Sequence, residues 1–486
     1  MAKLPPNVQY IGPESLGLPL ATGKVRNTYA VPGHDDLLLP LATDRLSIFD
    51  FVLNALVKNK GEILNAMSVF WRLRLLADRC PHDLVACGAA IDDFLLPSLR
   101  GNIELQKRAV VVRKLKMVPR EMIVRGYLTG SGWPKYQETG EVCGHKLPPG
   151  LHDGSKLPYP IFTPTSKATV GHDVHVDANS VVAEFGFGYE RTVLQLYGLA
   201  RDFCAERGIL LVDTKFEMGE GVVFGDELLT PDSSRFWSRD AWLAAQAKGK
   251  VPPAFDKEFV RTWGKGLGID KRNPENPDDV DWVHAQVVPP EILATTTQIY
   301  RYIFWRLTDK KLEVFQADEM GIDVDQPEIN VDVVVGSESD LPQVTSAVEE
   351  VRELSGAGQV RLHVCSCHRN PDMLRMYIEQ LKDVDVIVAG AGKAAALPGV
   401  VKSWLGHFGK DHIPVIGVAL EGSDYADNDA AELSIAQLPG QPVELDAEGR
   451  VYFGAQGMRR ALKAAVEDEF LPRKISPKEA KFNIGA

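Results

Sequence analysis

Alternating acidic, basic and apolar side chains mark one stretch near the middle of the chain as a candidate site. Asp213, Lys215 and Glu217 are separated by single small or apolar residues. Two carboxylates a few ångström apart repel each other unless a cation lies between them. Mg²⁺ is held in proteins by one or two carboxylates together with substrate oxygens. Carboxylates beside a lysine therefore indicate a site for Mg²⁺ and a phosphate-bearing substrate.

A hairpin is the element that has to position these side chains. The period-two alternation over residues 210–217 predicts a half-buried strand, and the following glycine pair predicts a tight turn into a second strand. A two-residue turn at 220–221 would set Glu217 opposite Phe224 and Lys215 opposite Asp226. The charged face would then carry Asp213, Lys215, Glu217 and Asp226.

A surface hairpin with solvated ion pairs is the alternative interpretation of the same pattern. Residues 230–235 follow the second strand and add hydroxyl groups and the guanidinium of Arg235 beside the acids. Because a guanidinium forks onto phosphate or carboxylate oxygens, we favour a functional site over a solvated surface.

The composition of the chain indicates which class of protein carries this site. The chain has 486 residues, of which 45% are apolar and 25% charged, and its formal net charge is −12. These values are typical of a globular protein with two to four domains, and the acidic balance argues against a nucleic-acid binder. The six cysteines lack zinc-type spacing. With neither a leader-like N-terminus nor an apolar run of 18 residues, we expect a cytoplasmic protein without a membrane partner.

Two further loops in the first half of the chain could hold an anion. The turn at 23–26 carries Lys24 and Arg26, and backbone N–H groups with basic side chains bind phosphate in such turns. Arg125 opens a loop rich in glycine and serine that includes Ser131. Taken alone, the first loop is more typical of an exposed turn, whereas the second is a good anion-binding loop with a flexible turn as the alternative. A third polar cluster, at the end of an apolar strand, contains Asp44, Arg45 and Ser47.

The last third of the chain has a different pattern. Residues 316–330 lack apolar periodicity and are predicted to be a linker. Beyond them strands alternate with helices, which predicts a doubly wound parallel sheet, and such sheets bind ligands at the carboxyl ends of their strands. The polar residues at these ends are Ser337 and Asp340, then His368 and Arg369, then Lys393.

Seven motifs in the first 315 residues together resemble the SAICAR synthetase family. In chain order they are GKVRNTY (23–29), ATDRLSIFD (42–50), VRGYLTGSGW (124–133), PIFTPTSKA (160–168), DTKFEMG (213–219), DELLTPDSSRFW (226–237) and FDKEFVR (255–261). The resemblance implies a two-lobed α+β ATP-binding ligase domain over residues 1–315. It also implies that the ATP γ-phosphoryl group activates an imidazole carboxylate, from which the amine of L-aspartate displaces phosphate. Such a reaction needs positioning and charge neutralisation more than a protein nucleophile.

The same resemblance implies roles for the charged residues. Lys24 and Arg26 would face the ATP phosphates, and Glu217 and Asp226 would ligate Mg²⁺. Asp213 and Lys215 would line the pocket as catalytic residues. The residues expected to hold the ribose phosphate and carboxylate of the imidazole substrate are Arg125, Ser131 and Arg235. Those expected to border the cleft are Asp44, Arg45 and Ser47.

Motifs of the last third resemble the PurE family over residues 331–468, with GSESD, SCHRNPD, GAGKAAALPG and SIAQLPGQPV in order. This implies a flavodoxin-like, three-layer α/β domain that carboxylates aminoimidazole ribonucleotide or rearranges its carboxyamino form. His368 would move a proton at the imidazole carbon, a role suited to a group that titrates near neutrality. The residues expected to bind the phosphoribosyl substrate are Ser337, Asp340 and Arg369.

Departures from the PurE pattern leave the carbon source open between CO₂ or bicarbonate and the carboxyamino isomer. Lys393 replaces a glycine and Ala396 a histidine, and residues 421–432 also differ. Lys393 could hold a carboxylate or CO₂. The PurE resemblance further implies a homo-oligomer, possibly an octamer, and residues 469–486 are expected to form an arm or tail.

The main hypothesis is a bifunctional purine-synthesis enzyme that forms carboxyaminoimidazole ribonucleotide (CAIR) and then condenses it with aspartate. One alternative makes the last domain a non-catalytic oligomerisation or nucleotide-binding module. Another makes the first domain a kinase-type phosphotransferase.

Overall fold

The computed structural model describes residues 4–8, 13, 16–77, 79–166, 174–471 and 473, and the chain divides into two units, residues 1–324 and 325–486. Part of the expected arm (472 and 474–486) and the end of the PIFTPTSKA motif (167–168) lie outside the described residues.

The division falls within the segment 316–330, but the prediction that this whole segment is a linker is wrong. The helix Leu312–Asp318 extends into it, and Met320 and Ile322 are buried in the first unit. The N–H of Ala89 donates to the Met320 carbonyl at 2.9 Å. Main-chain contacts of this kind leave no apolar periodicity in the sequence, so the pattern did not reveal them.

Two antiparallel sheets form the framework of the first unit. Its strands are β1 (Ala21–Thr22), β2 (Arg26–Val31), β3 (His34–Ala42), β4 (Arg45–Ile48), β5 (Phe51–Leu56), β6 (Leu84–Cys87), β7 (Val110–Arg113), β8 (Arg120–Leu128), β9 (Glu141–Val142), β10 (His145–Lys146), β11 (Ser155–Phe162), β12 (Thr165–Ser166), β13 (Ile209–Gly219), β14 (Val223–Gly225) and β15 (Ser234–Ser238). The first sheet has the order β1-β2-β3-β7-β6. The second has the order β11-β8-β13-β14, with β12 paired to β8 and β15 to β13. The strand pairs β4–β5 and β9–β10 are separate hairpins.

Helices cover and connect these sheets. They are α1 (Lys60–Trp71), α2 (Ile103–Arg108), α3 (Gly132–Thr139), α4 (Ala178–Phe185), α5 (Phe187–Glu206), α6 (Arg239–Gln246), α7 (Glu258–Leu267), α8 (Pro277–His284), α9 (Pro290–Thr308) and α10 (Leu312–Asp318). Helix α1 continues directly into a π-helical turn, Arg72–Leu76. Short 3₁₀ turns occur at Pro6–Val8, Gly88–Phe94, Pro97–Leu99 and Ile269–Lys271.

The predicted strand over 210–217 is confirmed as part of β13, but the predicted hairpin register is wrong by one residue. Glu217 pairs with Gly225 and Met218 with Phe224. The loop has three residues, because Gly221 and Val222 both adopt left-handed backbone, with φ of 79° and 63°. A one-residue shift moves a side chain to the other face of a sheet, so Phe224 is buried against the ring of Phe216 at 5.4 Å.

The second unit is a doubly wound parallel sheet, as the sequence predicts. Its strands are β16 (Ile329–Val335), β17 (Ala357–Val364), β18 (Val386–Ala391), β19 (Val415–Ala419) and β20 (Tyr452–Phe453). Its helices are α11 (Thr345–Arg352), α12 (Pro371–Gln380), α13 (Leu397–His407), α14 (Tyr425–Ala436) and α15 (Gly454–Glu467), and a 3₁₀ turn spans Glu338–Gln343. The strand order β17-β16-β18-β19-β20 is the flavodoxin-like order 2-1-3-4-5.

Both faces of the central strands β16, β18 and β19 are largely buried, which explains why these strands are nearly continuous in apolar residues. Val331, Val333 and Val335 belong to one core cluster and Val334 to the other. None of the helices in the described ranges combines the length and apolarity needed to cross a membrane.

Candidate active site

A cleft of about 1910 Å³ in the first unit collects side chains from both sheets. Ten of the twelve residues predicted for this half of the chain line it: Lys24, Arg26, Ser47, Arg125, Ser131, Asp213, Lys215, Glu217, Asp226 and Arg235. The remaining two are Asp44 and Arg45.

Asp44 and Arg45 do not line the cleft, which differs from the expectation that they border it. The Asp44 carboxylate accepts hydrogen bonds from the Gly61 N–H at 2.8 Å, at the start of α1, and from Arg108 at 2.7 Å. Arg45 is fully buried, and its guanidinium donates to the Gly23 and Lys24 carbonyls at 3.0 and 3.1 Å. Both residues support the structure behind the site, and Arg45 fixes the basic loop that carries Lys24.

One end of the cleft holds an arginine pair joined by a single carboxylate. Asp213 on β13 lies in register with Arg125 on β8 and with Arg235 on β15. The Asp213 Oδ2 atom accepts from Arg125 Nη1 at 2.9 Å and from Arg235 Nη1 at 3.1 Å. Arg125 also donates to Ser131 Oγ at 2.9 Å and to Thr163 Oγ1 at 3.0 Å. Guanidinium groups fixed in this way form a preorganised binding site for phosphate or carboxylate oxygens.

The middle of the cleft holds Lys215 between two acids. Its Nζ atom donates to Glu121 Oε1 at 2.6 Å and to Glu217 Oε1 at 3.4 Å. Burial alone would lower the pKa of Lys215, but Glu217 and Glu121 outweigh it and hold this pKa above its ordinary value. The direction of this pKa favours the charged form of Lys215 at neutral pH.

Glu121 also lines the cleft, although it was not predicted from the sequence. Glu121 lies four residues before Arg125 on β8, so the two side chains are on the same face of the strand. The same alternation identified the acids of β13, so the signal was present in the segment 120–125.

The other end of the cleft joins Arg26 to Asp226. Arg26 forms an ion pair with Asp226, and its Nη2 atom lies 3.7 Å from Glu227 Oε2. Burial would lower the pKa of Arg26, but the field of Asp226, Glu227 and Glu217 raises it. Lys24, from the same basic loop as Arg26, forms a separate ion pair with Asp50.

Glu217 and Asp226 suit a cation that is bound together with its substrate. Glu217 pairs in the ladder with Gly225, the residue before Asp226, and both acids act on Lys215 and Arg26. Among the described residues no group of three or more His, Cys, Asp or Glu side chains is arranged to hold a metal. Mg²⁺ that is carried on a nucleotide needs only one or two protein carboxylates, and these two residues fit that requirement.

A buried network of charged side chains around Asp232, at the cleft, was also not predicted from the sequence. Asp232 accepts from Lys60 Nζ at 2.6 Å and from the Tyr300 hydroxyl at 2.5 Å. Burial would raise the pKa of Asp232, but Lys257 and Lys60 outweigh it and lower this pKa well below its ordinary value. Lys60 and Tyr300 come from helices 172 and 68 residues away in sequence, so local motifs could not identify them as partners.

In the second unit, the predicted residues lie in loops that follow β16, β17 and β18. The Arg369 Nη2 atom donates to the Gly336 carbonyl at 2.9 Å, which ties the loop after β17 to that after β16. Asp340 lies in the field of Arg369, although burial raises its pKa. The Ser337 hydroxyl accepts from Ser339 Oγ at 2.9 Å.

His368 and Lys393 are exposed, as is Arg369 of the same group. The backbone N–H of His368 donates to Ser366 Oγ at 3.3 Å, which fixes its main chain while its side chain faces solvent. Lys393 has left-handed backbone, with φ of 54°, and its ammonium lies 3.9 Å from Asp427 Oδ2. These loops therefore present an imidazole and cations at the carboxyl edge of the sheet, where doubly wound folds bind ligands.

Comparison with known proteins gives separate matches for the two units. A family model described as SAICAR synthetase matches residues 19–275, and one described as AIR carboxylase matches residues 330–450. The phosphoribosylaminoimidazole-succinocarboxamide synthase of Maridesulfovibrio salexigens is 40% identical over 302 residues, which make up 60% of this chain and 95% of that protein. The protein of the same name from Saccharopolyspora erythraea is 45% identical over 276 residues, 54% of this chain and 88% of its own length.

Solved structures give the same match for the first unit. The SAICAR synthase of Saccharomyces cerevisiae, in complex with SAICAR, is 31% identical and superposes with a TM-score of 0.53. It covers 63% of this chain and 99% of its own.

Proposed function

The chain belongs to the SAICAR synthetase family and continues into an AIR carboxylase region, and on that premise we propose that it is a bifunctional enzyme of purine biosynthesis. The first unit condenses CAIR with L-aspartate at the expense of ATP, giving SAICAR, ADP and phosphate. The second unit supplies CAIR from aminoimidazole ribonucleotide or from its carboxyamino isomer.

One observation carries the assignment of the ligase site. The row Asp213, Lys215, Glu217 on β13 runs from an arginine pair at one end to the ion pair of Arg26 and Asp226 at the other. An anion-binding end and a carboxylate-bearing end within one cleft match a reaction between a phosphorylated nucleotide and Mg-ATP. In this proposal Arg125, Ser131 and Arg235 bind CAIR, while Lys24 and Arg26 bind the ATP phosphates.

Glu217 and Asp226 would hold Mg²⁺, which neutralises charge on the ATP phosphates when bound. The protein's own cations neutralise charge at the end of the cleft that binds the imidazole nucleotide. Lys215 stays protonated between Glu121 and Glu217, so it offers a fixed positive charge to the carbonyl oxygen that becomes negative when the aspartate amine adds to the acyl phosphate. Asp213 orients both guanidinium groups that hold the imidazole nucleotide.

In the second unit, His368 moves a proton at the imidazole carbon, and Ser337, Asp340 and Arg369 bind the phosphoribosyl group. The contact between Arg369 and the Gly336 carbonyl supports this grouping, because it joins two of the loops involved. Lys393 binds the carboxyl group that is added or moved. The AIR carboxylase match over residues 330–450 makes a purely non-catalytic module the weaker hypothesis. A cytoplasmic location and assembly into a homo-oligomer stay predictions.

Product analysis tests the proposal for the first unit. The purified chain is incubated with CAIR, L-aspartate and Mg-ATP, and the products are identified by mass spectrometry. SAICAR, ADP and phosphate should form in equal amounts, with no phosphate release when aspartate is omitted. Phosphate release without aspartate would support the kinase-type alternative and contradict the ligase assignment.

A further inference from the structure

The segment 226–229, which follows β14, has a strained backbone next to the site. Asp226 and Leu229 both adopt left-handed conformations, with φ of 55° and 52°. Aspartate tolerates this region, but for a bulky residue such as leucine it is an outlier. Strained residues of this kind persist only when the surrounding structure holds them in place, and they cluster at functional sites.

The last turn of α1 and the residue after it supply the contacts that hold this segment. Arg72 Nη2 donates to the Asp226 carbonyl at 2.5 Å. The Leu228 N–H donates to Ser68 Oγ at 3.3 Å, and Trp71 Nε1 donates to the Leu229 carbonyl at 3.0 Å. Three side chains from residues 68–72 therefore hold the main chain of a segment more than 150 positions away, at residues 226, 228 and 229.

Arg72 is itself fixed from several sides. Its guanidinium donates to Asp83 Oδ1 through Nε at 3.1 Å and Nη2 at 2.9 Å, and it also contacts Ser68. The side chains of Arg72 and Asp83 are only 4% and 5% exposed. The helix becomes π-helical at Arg72, whose carbonyl accepts from the Ala77 N–H at 2.8 Å. Single π turns of this kind occur frequently at functional sites.

Asp83 extends the same attachment to β14. Its N–H donates to the Phe224 carbonyl at 3.0 Å, and a Cβ atom added at Gly225 would lie 3.4 Å from Asp83 Oδ2. The backbone of residues 224–226 therefore lies directly against the ion pair of Arg72 and Asp83.

We propose that Arg72 is a positioning residue for the Asp226 carboxylate and so for the metal-nucleotide complex, although it does not line the cleft. It acts by binding the Asp226 carbonyl, while Arg26 contacts the carboxylate of the same residue from the opposite sheet. The inference rests on the proposed function, since it assumes that Asp226 helps to hold Mg²⁺ with ATP.

Arg72→Lys tests this role, because lysine keeps the positive charge beside Asp83 but cannot bind Asp83, Ser68 and the Asp226 carbonyl at once. Binding of Mn²⁺ to the full chain in the presence of ADP is measured by electron paramagnetic resonance. We expect Arg72→Lys to weaken Mn²⁺ binding roughly tenfold, the usual cost of losing a partner that orients a metal ligand. The Mg²⁺ concentration for half-maximal SAICAR formation should rise in parallel, with the KM for aspartate unchanged.

Ser68→Ala is a second variant that hardly alters packing. It removes the acceptor of the Leu228 N–H and a partner of Arg72, and it should weaken Mn²⁺ binding in the same direction by a smaller factor. Arg301→Lys is the matched control, because Arg301 also forms a two-point pair, with Glu313 at 2.8 Å, and is not one of the three residues that hold the segment 226–229. It should leave Mn²⁺ binding unchanged.

Parent-like Mn²⁺ binding by both folded variants, or an equal loss in Arg301→Lys, would overturn the positioning role. An Asp226→Asn chain that binds Mn²⁺ and ADP like the parent would overturn it as well, because Asp226 would not be a ligand. Failure of the parent to make SAICAR while Arg72→Lys still weakens Mn²⁺ binding would contradict only the proposed reaction.

Discussion

Lys215 and Glu121 face each other across the neighbouring strands β13 and β8, with Lys215 Nζ 2.6 Å from Glu121 Oε1. Burial lowers the pKa of Lys215, and the pair with Glu217 and Glu121 raises it above the ordinary value of 10.5. A group whose pKa is raised keeps its charge below that ordinary value and loses it only as the pH passes the raised value. The cleft therefore keeps its central cation throughout the neutral and moderately alkaline range.

Glu121→Gln should lower the pH at which Lys215 loses its charge. Removal of one of the two acids lets the pKa of Lys215 fall, so the alkaline limb of kcat/KM for SAICAR formation should move to lower pH. The measurement is a pH profile between about pH 7 and pH 10. Glu104→Gln, which removes an exposed partner of Arg108, should leave the profile in place, and an unshifted limb in Glu121→Gln would exclude this role for the pair.

Arg235→Lys should reduce the affinity of the site for the imidazole nucleotide. Lysine keeps the charge, but it cannot hold Asp213 and fork onto a substrate anion with one planar group. We expect the KM for CAIR to rise roughly tenfold, equivalent to about 1.4 kcal/mol, with little change in the KM for ATP. Arg207→Lys, at an arginine paired with the exposed Asp309, is the control. A rise confined to the KM for ATP would reverse the assignment of the two ends of the cleft.

Asp232→Asn should destabilise the protein in a pH-dependent way. Burial would raise the pKa of Asp232, but Lys257 and Lys60 lower it below the ordinary 3.8, so its contribution is present above that value and is lost as the pH falls towards the lower one. At pH 7 we expect the free energy of unfolding to drop by roughly 3 kcal/mol, because Lys60 stays buried without its carboxylate.

Urea unfolding of the parent and Asp232→Asn at several pH values measures this difference, which should shrink below about pH 4. Asp318→Asn, which removes an exposed partner of Lys310, should change stability by no more than about 1 kcal/mol. A difference that stays constant with pH would show that the charge of Asp232 is not the cause.

Lys393→Gly should separate activity from stability in the second unit. The left-handed backbone at Lys393 costs an L-residue about 1–2 kcal/mol and glycine nothing, while glycine adds entropy to the unfolded chain. The free energy of unfolding should therefore change by less than about 1 kcal/mol, whereas CAIR formation should fall at least about tenfold if the ammonium binds the carboxyl group. Asp383→Gly, at another left-handed residue with φ of 53°, should leave CAIR formation unchanged, and full activity of Lys393→Gly would exclude this residue from the site.

The sequence predicted the components of the ligase site better than their arrangement. Asp213, Lys215 and Glu217 could be placed on one face because strand periodicity is local. The register of the hairpin could not, because it depends on the left-handed backbone of Val222, an uncommon conformation for a β-branched residue. Asp226 still lies in the cleft with Lys215 and Glu217, although it lies beyond the end of β14 and not within a strand.

Contacts between distant segments explain what the sequence could not show. Asp232 belongs to the motif DELLTPDSSRFW, but its partners Lys60 and Tyr300 come from separate helices. Asp44 and Arg45 lie two or three positions before cleft-lining Ser47, but their side chains bind Arg108 and the main chain of the basic loop and do not line the cleft. The parallel sheet of the second unit was predictable, since alternating strands and helices permit few other arrangements.

One chain that forms CAIR and then consumes it should convert the earlier nucleotide into SAICAR without added CAIR. The direct measurement is SAICAR formation in the presence of L-aspartate and Mg-ATP, either from aminoimidazole ribonucleotide with bicarbonate or from its carboxyamino isomer, compared between the parent and His368→Asn. We expect SAICAR from the parent with at least one of the two sources, none above background from His368→Asn, and full recovery of the variant when CAIR is supplied. Failure of the parent to form SAICAR from either source unless CAIR is added, or parent-like activity of His368→Asn without CAIR, would show that the second unit does not supply CAIR through His368.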